Sequence, residues 1–314
     1  MIRSTIKLCI VLALITFIVT SEAATQSGLE KKIDSLFVIA SSGELRYRDL
    51  TEPAMDSIAA LGAPAVPWLV EKLSTKSARE RLTVIWVLQR IGSEAVPYLV
   101  NSLNRSEDLI VGRICWALGD IKDSSSVPPL IDVCSHRDWQ VRDQAVEALG
   151  KIGDTRANEI VMQTLADTLG QVRKAAVVSC GQLAINEAIP DLINCFADDF
   201  YGARLEAVNS LLKLDTQKVI LVAADSINSQ RVMVGNLCCD VLREIKTDPA
   251  IEILSYQALN SPIAERRAHA AVAIINADPE DLCDLHNKLL ENNSDRFTLL
   301  KIQSALKTIK KSDE

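Results

Sequence analysis

The sequence predicts an all-α fold, a right-handed superhelical α-solenoid of about nine helical hairpins, and three observations carry that reading. An apolar anchor recurs from Ile58 to Leu306, each anchor belongs to a stripe of helical spacing, and turn residues separate the stripes. The composition agrees: 48% of residues are hydrophobic but only 4% aromatic, which suits helices packed through Ala, Leu, Ile and Val better than a β core.

The chain opens with a segment of a different kind. Arg3 and Lys7 precede the apolar run Leu8 to Val19, and Ser21-Glu22-Ala23 supplies small residues where a signal peptidase reads them. Twelve residues rise ~18 Å as a helix, short of a ~30 Å hydrocarbon core, so residues 1–23 are expected to be a cleaved signal peptide and not a permanent membrane span. The expected product is an exported chain, periplasmic or extracellular, with residues 24–314 forming a single solenoid. Removing residues 1–23 leaves 32 basic against 40 acidic residues, a formal charge of −8. The basic residues are interleaved with acids, so no surface tracks phosphates and nucleic acid is not an expected partner.

The repeat is counted from its anchors, Ile58, Leu88, Leu118, Leu149, Cys180, Leu211, Leu242, Ile274 and Leu306, which advance by 30 to 32 residues. Four residues earlier stands a second core-type row, Val84, Ile114, Ala145, Ala176, Ala207, Cys238, Ala270 and Ile302. Three residues later stands a third, from Leu61 and Ile91 to Ala277 and Ile309. The spacing −4, 0, +3 marks one buried face of a helix, here helix B. Between B helices run segments such as Gly62-Ala63-Pro64-Ala65-Val66-Pro67-Trp68-Leu69. Glycine fits a helix C-terminus, and Pro67, Pro97, Pro128 and Pro190 fit the first turn of a following helix A. Trp68 and Tyr98 are expected to pack beneath that turn. Neither face of a single A–B hairpin can be buried alone, so stability must come from stacking.

Asp138-Trp139-Gln140-Val141-Arg142, followed by Ala145, Ala148-Leu149-Gly150 and Ile152-Gly153-Asp154, resembles the HEAT-like repeat of the phycobilisome-lyase type. The resemblance extends over residues 29–310 and is weakest near Asn236 and in the ninth unit. Its Val-Arg position is held by Arg81, Arg142, Arg173, Arg204 and Arg267, but by Val111, Gly235 and Leu299 elsewhere. By analogy with related HEAT repeats, such arginines are expected to bond a neighbouring acid or carbonyl.

Two enzyme classes known on this repeat can be tested. The di-iron hydroxylases carry repeated His-Glu pairs that converge on iron, whereas His136, His269 and His286 are none of them followed by Glu. The bilin lyases act inside photosynthetic cells, against which a signal peptide argues. There is no Gly-rich phosphate loop and no Gly-x-Ser-x-Gly elbow. Cys238-Cys239 is adjacent, not Cys-x-x-Cys, and Cys134, Cys180, Cys195 and Cys238 fall at positions filled elsewhere by core residues. His269 is expected to be a solvated surface residue. The sequence therefore predicts no catalytic residue, no metal site and no cofactor, and hence a protein that is not an enzyme.

What remains is a surface. The row two residues before each anchor, Asp56, Trp86, Trp116, Glu147, Val178, Asn209, Asp240, Val272 and Ser304, is largely polar and should face outward. Trp86 and Trp116 interrupt it in consecutive repeats, with equivalent residues on packed helices expected ~8–10 Å apart. If B helices line the concave side, the two indoles and the bordering Arg113, Gln144 and Glu147 form the surface for a protein or peptide partner, since Trp and Arg favour binding hot spots. The alternative is an accessory or ligand-modifying protein related to the bilin lyases.

Overall fold

The computed structural model describes residues 28–104 and 107–275, together with residues 287, 288, 291, 296–301, 303 and 304 near the C-terminus. The expected signal peptide, Cys283, Ala277 at +3 of the eighth repeat, and the anchor and flanking rows of the ninth at Leu306, Ile302 and Ile309 lie outside the described residues. Among the described residues every regular element is a helix, and none is long and apolar enough to cross a membrane.

The chain divides into two compact units at Pro129/Leu130. In the first, α1 (28–40) and α2 (Thr51–Ala59) are followed by the hairpins α3 (Val66–Lys72) with α4 (Ala78–Ile91) and α5 (Val96–Leu103) with α6 (Asp108–Ile121). The B helices α2, α4 and α6 pack in succession, with α3 against α5 forming the A layer. The boundary falls within α7 (Val127–Val133). The second unit continues through α8 (Trp139–Ile152), α9 (Asn158–Thr164), α10 (Gly170–Gln182), α11 (Ile189–Asn194) and α12 (Tyr201–Leu211). It goes on through α13 (Thr216–Ser226), α14 (Val232–Ile245), α15 (Asp248–Asn260) and α16 (Ala264–Ile275). Its B layer runs α8, α10, α12, α14, α16 and its A layer α11, α13, α15.

The turn chemistry is as the sequence predicts. Gly62, Gly92 and Gly153 take positive φ beyond α2, α4 and α8, and Lys122, Ala184 and Lys246 also take positive φ beyond α6, α10 and α14. Pro67, Pro97 and Pro190 occupy the first turns of α3, α5 and α11. A short 3-10 turn precedes each of α3, α5, α7, α9 and α11.

All eight described anchors and the −4 row from Val84 to Ala270 are buried. The +3 row is only partly so: Leu183 and Leu214 are buried, whereas Ile91, Ile121, Ile152 and Ile245 are half-exposed at helix ends. The core is instead wider than one stripe. Ile85, Cys115, Val146, Val177 and Cys239 at −3, and Val87, Ala117, Ala148, Ser179, Ser210 and Val241 at −1, are buried as well. A B helix in mid-array packs on its own A helix and on a B helix at each side, so only a narrow outward strip escapes. The approach is close: a Cβ at Gly150 would fall 2.8 Å from the Ser179 Cβ, and one at Gly181 would fall 2.9 Å from the Ser210 Cα. The Ser179 hydroxyl crosses this contact to donate to the Val146 carbonyl at 2.9 Å.

Candidate functional site, an outward tryptophan face

The outward row is confirmed at every described position, since none of its nine residues is buried. In α4, Val84, Ile85, Val87 and Leu88 all turn inward, and Trp86 between them is left 46% exposed. The helix that presents it is capped by Ser77, whose hydroxyl accepts from the Glu80 N–H. Trp116 on α6 is half-buried, and its indole Nε1 donates to Asp120 Oδ2 at 2.8 Å one turn later. Gln89 Nε2 on α4 donates to the Asp120 carbonyl at 3.3 Å, which ties the two tryptophan-bearing helices together.

Charge on this face comes from residues the sequence reading passed over. Arg90 on α4 reaches back to α2, bonding Glu52 through Nη2 and Asp56 through Nε at 3.2 Å. Both carboxylates remain largely exposed. The signal was present: Arg90 lies two residues after its anchor, on the same outward strip as Asp56 and Trp86.

The other expected members are placed differently. The Arg113 guanidinium donates to the Leu73 carbonyl and, at 2.8 Å, to the Thr75 carbonyl, in the turn between α3 and α4. Burial, and the nearby Arg81 charge, draw its pKa below the usual arginine value, yet two carbonyls hold it in place. Gln144 and Glu147 lie on α8, in the second unit. There Gln144 Nε2 contacts Asp143 at 3.2 Å and Glu147 at 3.4 Å, and Glu147 pairs with Lys151 at 3.2 Å. Burial pushes the Asp143 carboxyl up, with Glu147 adding to the rise and Gln144 and Lys174 opposing it.

Of the remaining candidates, Trp68 packs edge-on to Phe37 with ring centroids 5.1 Å apart, as expected. Tyr98 does not follow it and stays 45% exposed, its hydroxyl being a polar tip that water can satisfy. His269 is less free than expected, with Nε2 3.0 Å from Asp240 Oδ1 on the neighbouring α14. Cys134, Cys180, Cys195, Cys238 and Cys239 are all buried, and burial pushes each thiol up to about 12. Among the described residues no group of three His, Cys, Asp or Glu is arranged to hold a metal ion.

The arginine row completes the geometry. Arg142 grips Asp167 through Nε and Nη2 at 2.7 and 2.9 Å, and Arg173 grips Asp198 at 2.7 Å through both atoms. Arg142, Arg173, Arg204 and Arg267 each also donate Nη1 to a carbonyl six residues earlier, at His136, Asp167, Asp198 and Ser261. This acid-and-carbonyl arrangement repeats from hairpin to hairpin, and it is where the comparisons fall. A model of HEAT repeats matches residues 112–181, and one of the PBS lyase HEAT-like repeat matches residues 172–198. The chain carries HEAT-like repeats.

These HEAT-like repeats have solved counterparts of low identity. The YibA protein of E. coli is 17% identical, with a TM-score of 0.49 over 85% of this chain and 98% of that one. The phycocyanin lyase complex of CpcE and CpcF from Nostoc sp. is 16% identical, with a TM-score of 0.41 over 76% and 94%. Human deoxyhypusine hydroxylase is 17% identical, with a TM-score of 0.36 over 79% and 97%. Among curated proteins no match is found. The expectation that this chain is not an enzyme is corrected here: two of these similar structures are enzymes by name, so sharing the repeat gives no ground for ruling out catalysis.

Proposed function

We propose that this chain is a protein- or peptide-binding scaffold working outside the cytoplasm, and that Trp86 and Trp116 belong to its binding surface. The observation that supports this most is Trp86, a large aromatic left half in solvent on a strip whose other positions show that the hairpin does not need it there. Exposed indole beside ordered carboxylates and a positioned guanidinium is the composition of a binding hot spot. Asp120 fixes the Trp116 ring and Gln89 fixes the spacing of α4 and α6, so the face is preorganised. Arg113 supports this face from behind by pinning α6 to the α3–α4 turn. In the second unit, Glu147 holds the equivalent row position and Gln144 lies beside it, and both are proposed as partner contacts of that unit.

The test is affinity capture from the exported fraction with mature chain and with the W86A and W86A/W116A variants. Loss of the captured protein with the helical signal retained supports the reading; undiminished capture by the double variant removes the tryptophans from it. A second reading, an accessory or ligand-modifying protein akin to the bilin lyases, is favoured by the match of residues 172–198 to the PBS lyase HEAT-like repeat. It requires that the chain take up a linear tetrapyrrole, which an absorbance titration would show.

A further inference from the structure

The arginine row has one step at which the sequence and the geometry part. At two successive steps the residue 25 positions after the arginine is an aspartate, Asp167 for Arg142 and Asp198 for Arg173, and both carboxylate oxygens fill the guanidinium fork. At the third step the residue 25 positions after Arg204 is Ser229. The backbone there is prepared in the same way. The Asp167 and Asp198 carboxylates accept from the N–H two residues on, at Leu169 and Phe200, and the Ser229 hydroxyl accepts from the Arg231 N–H at 3.2 Å. Serine thus keeps the turn-forming half of the aspartate's role and lacks the half that binds guanidinium.

Arg204 itself is set as its counterparts are. Its Nη1 donates to the Asp198 carbonyl at 2.6 Å and to the Asp199 carbonyl at 3.3 Å, and its guanidinium lies 5.4 Å from the Tyr201 ring centroid. The Nε and Nη2 edge, which grips a carboxylate in Arg142 and Arg173, has no hydrogen-bond partner among the described residues. Of the carboxylates nearest in sequence, Glu206 accepts from Asn209 Nδ2 at 3.2 Å, and Asp198 and Asp199 are both engaged by Arg173.

A second cation stands behind Ser229. Gly235 replaces the arginine of the next repeat, and a Cβ there would lie 2.3 Å from Arg266 Nε. Arg266 threads through this space and donates Nη2 to the Ser229 carbonyl at 2.6 Å. It is 1% exposed, its Nε has no hydrogen bond, and it forms no ion pair among the described residues. A hollow of about 720 Å³ opens at this step, walled by Asn194, Ala197, Asn228, Ser229, Gln230 and Val234, with Arg231 and one acid, Asp225, at its edge. The step thus carries two guanidiniums, those of Arg204 and Arg266, with no carboxylate partner among the described residues.

We infer that the Arg204–Ser229 step is a carboxylate-binding site, whose ligand is the side-chain carboxylate of an aspartate in a partner peptide, received in the Nε/Nη2 fork of Arg204. The neighbouring steps show which chemistry the fork accepts, since each holds an aspartate of this chain. A bidentate fork already oriented by a carbonyl selects a planar carboxylate over a neutral amide.

The measurement is the Nε–H resonance of Arg204 in the mature chain, assigned by its disappearance in R204K. N-acetyl-aspartate amide should shift it in a saturable way, N-acetyl-asparagine amide should not, and R204K should weaken binding at least tenfold. In S229D the chain supplies the missing carboxylate: the resonance should be shifted before any addition, the titration should be flat, and the melting temperature should rise by about 2–4 °C. A resonance unmoved by the aspartate probe, equal response to the asparagine probe, or response to inorganic phosphate alone overturns the inference. If S229D fails to fold, the comparison of the two probes on the parent chain decides. The W86A/W116A variant should titrate like the parent, which separates this site from the tryptophan face.

Discussion

Trp86 and Trp116 occupy one row but differ in what they would leave behind. Trp86 is almost half exposed and makes no polar bond among the described residues, so Trp86→Ala should cost about 0.5–1 kcal/mol of stability. Trp116 is half-buried and donates to Asp120, so Trp116→Ala should cost more, about 1–3 kcal/mol, since it removes one hydrogen bond to that carboxylate as well as the buried part of the ring. Thermal melting of the two single variants checks the order, and a larger loss at Trp86 would mean that its ring is padding between helices. Ala184 offers the opposite sign. It holds a left-handed conformation at φ 53°, beyond the end of α10, where Gly62, Gly92 and Gly153 serve other repeats. Ala184→Gly should therefore raise stability by about 0.5–1 kcal/mol, because relief of Cβ strain outweighs the added chain entropy. At this scale the outward row was legible from spacing alone. Arg113 was not, because its fate depended on carbonyls of residues 73 and 75, about forty positions earlier, which no helical period brings into view.

The helices owe their order to pairs that cross between them. Burial works against charge on Asp167, but the Arg142 fork and the Leu169 N–H outweigh it and hold the carboxyl below the usual range. Asp198 is held low in the same way, against burial, by Arg173 and the Phe200 N–H. A carboxylate whose pKa is depressed on folding contributes stability that is fully present above its unfolded value near ~4 and is lost as pH falls through the folded value. Melting temperature should thus fall steeply below about pH 4, and the D167N/D198N chain should show a shallower acid slope from a lower plateau. An unchanged slope would place the acid sensitivity elsewhere. Asp198→Ala should cost about 1–3 kcal/mol at neutral pH, since it removes the bidentate partner of a guanidinium whose side chain is only 15% exposed and leaves it Asp199 and two carbonyls. The arginine row itself was readable as a 31-residue recurrence, and so was its structural role. The width of the core was not, because a −4, 0, +3 stripe describes a helix packed on one side, whereas Ala148, Ser179 and Ser210 are buried by the next B helix in the stack.

Over the whole chain the period fixed the helical hairpins, and the fold follows from stacking them, since no single hairpin buries its own apolar face. The surface chemistry followed less directly, for the Glu52–Arg90–Asp56 cluster joins residues from two repeats that the sequence reading treated one at a time. The buried thiols have a consequence for how such a stack comes apart. Cys115, Cys134, Cys180, Cys195 and the pair Cys238 and Cys239 are distributed over five consecutive hairpins, each shut away from solvent. Burial pushes the thiols of Cys134, Cys180, Cys195, Cys238 and Cys239 up to about 12, so they are almost all protonated at pH 8, and that of Cys115 is sterically shut away; only opening of its own hairpin exposes each one, so each cysteine acts as a timer for its own stretch of backbone. Alkylation followed by peptide mass spectrometry should then give several rates, each reporting the opening of its own hairpin. One common rate for all six would mean that the hairpins yield together, and that the repeats, though written separately in the sequence, are mechanically a single body.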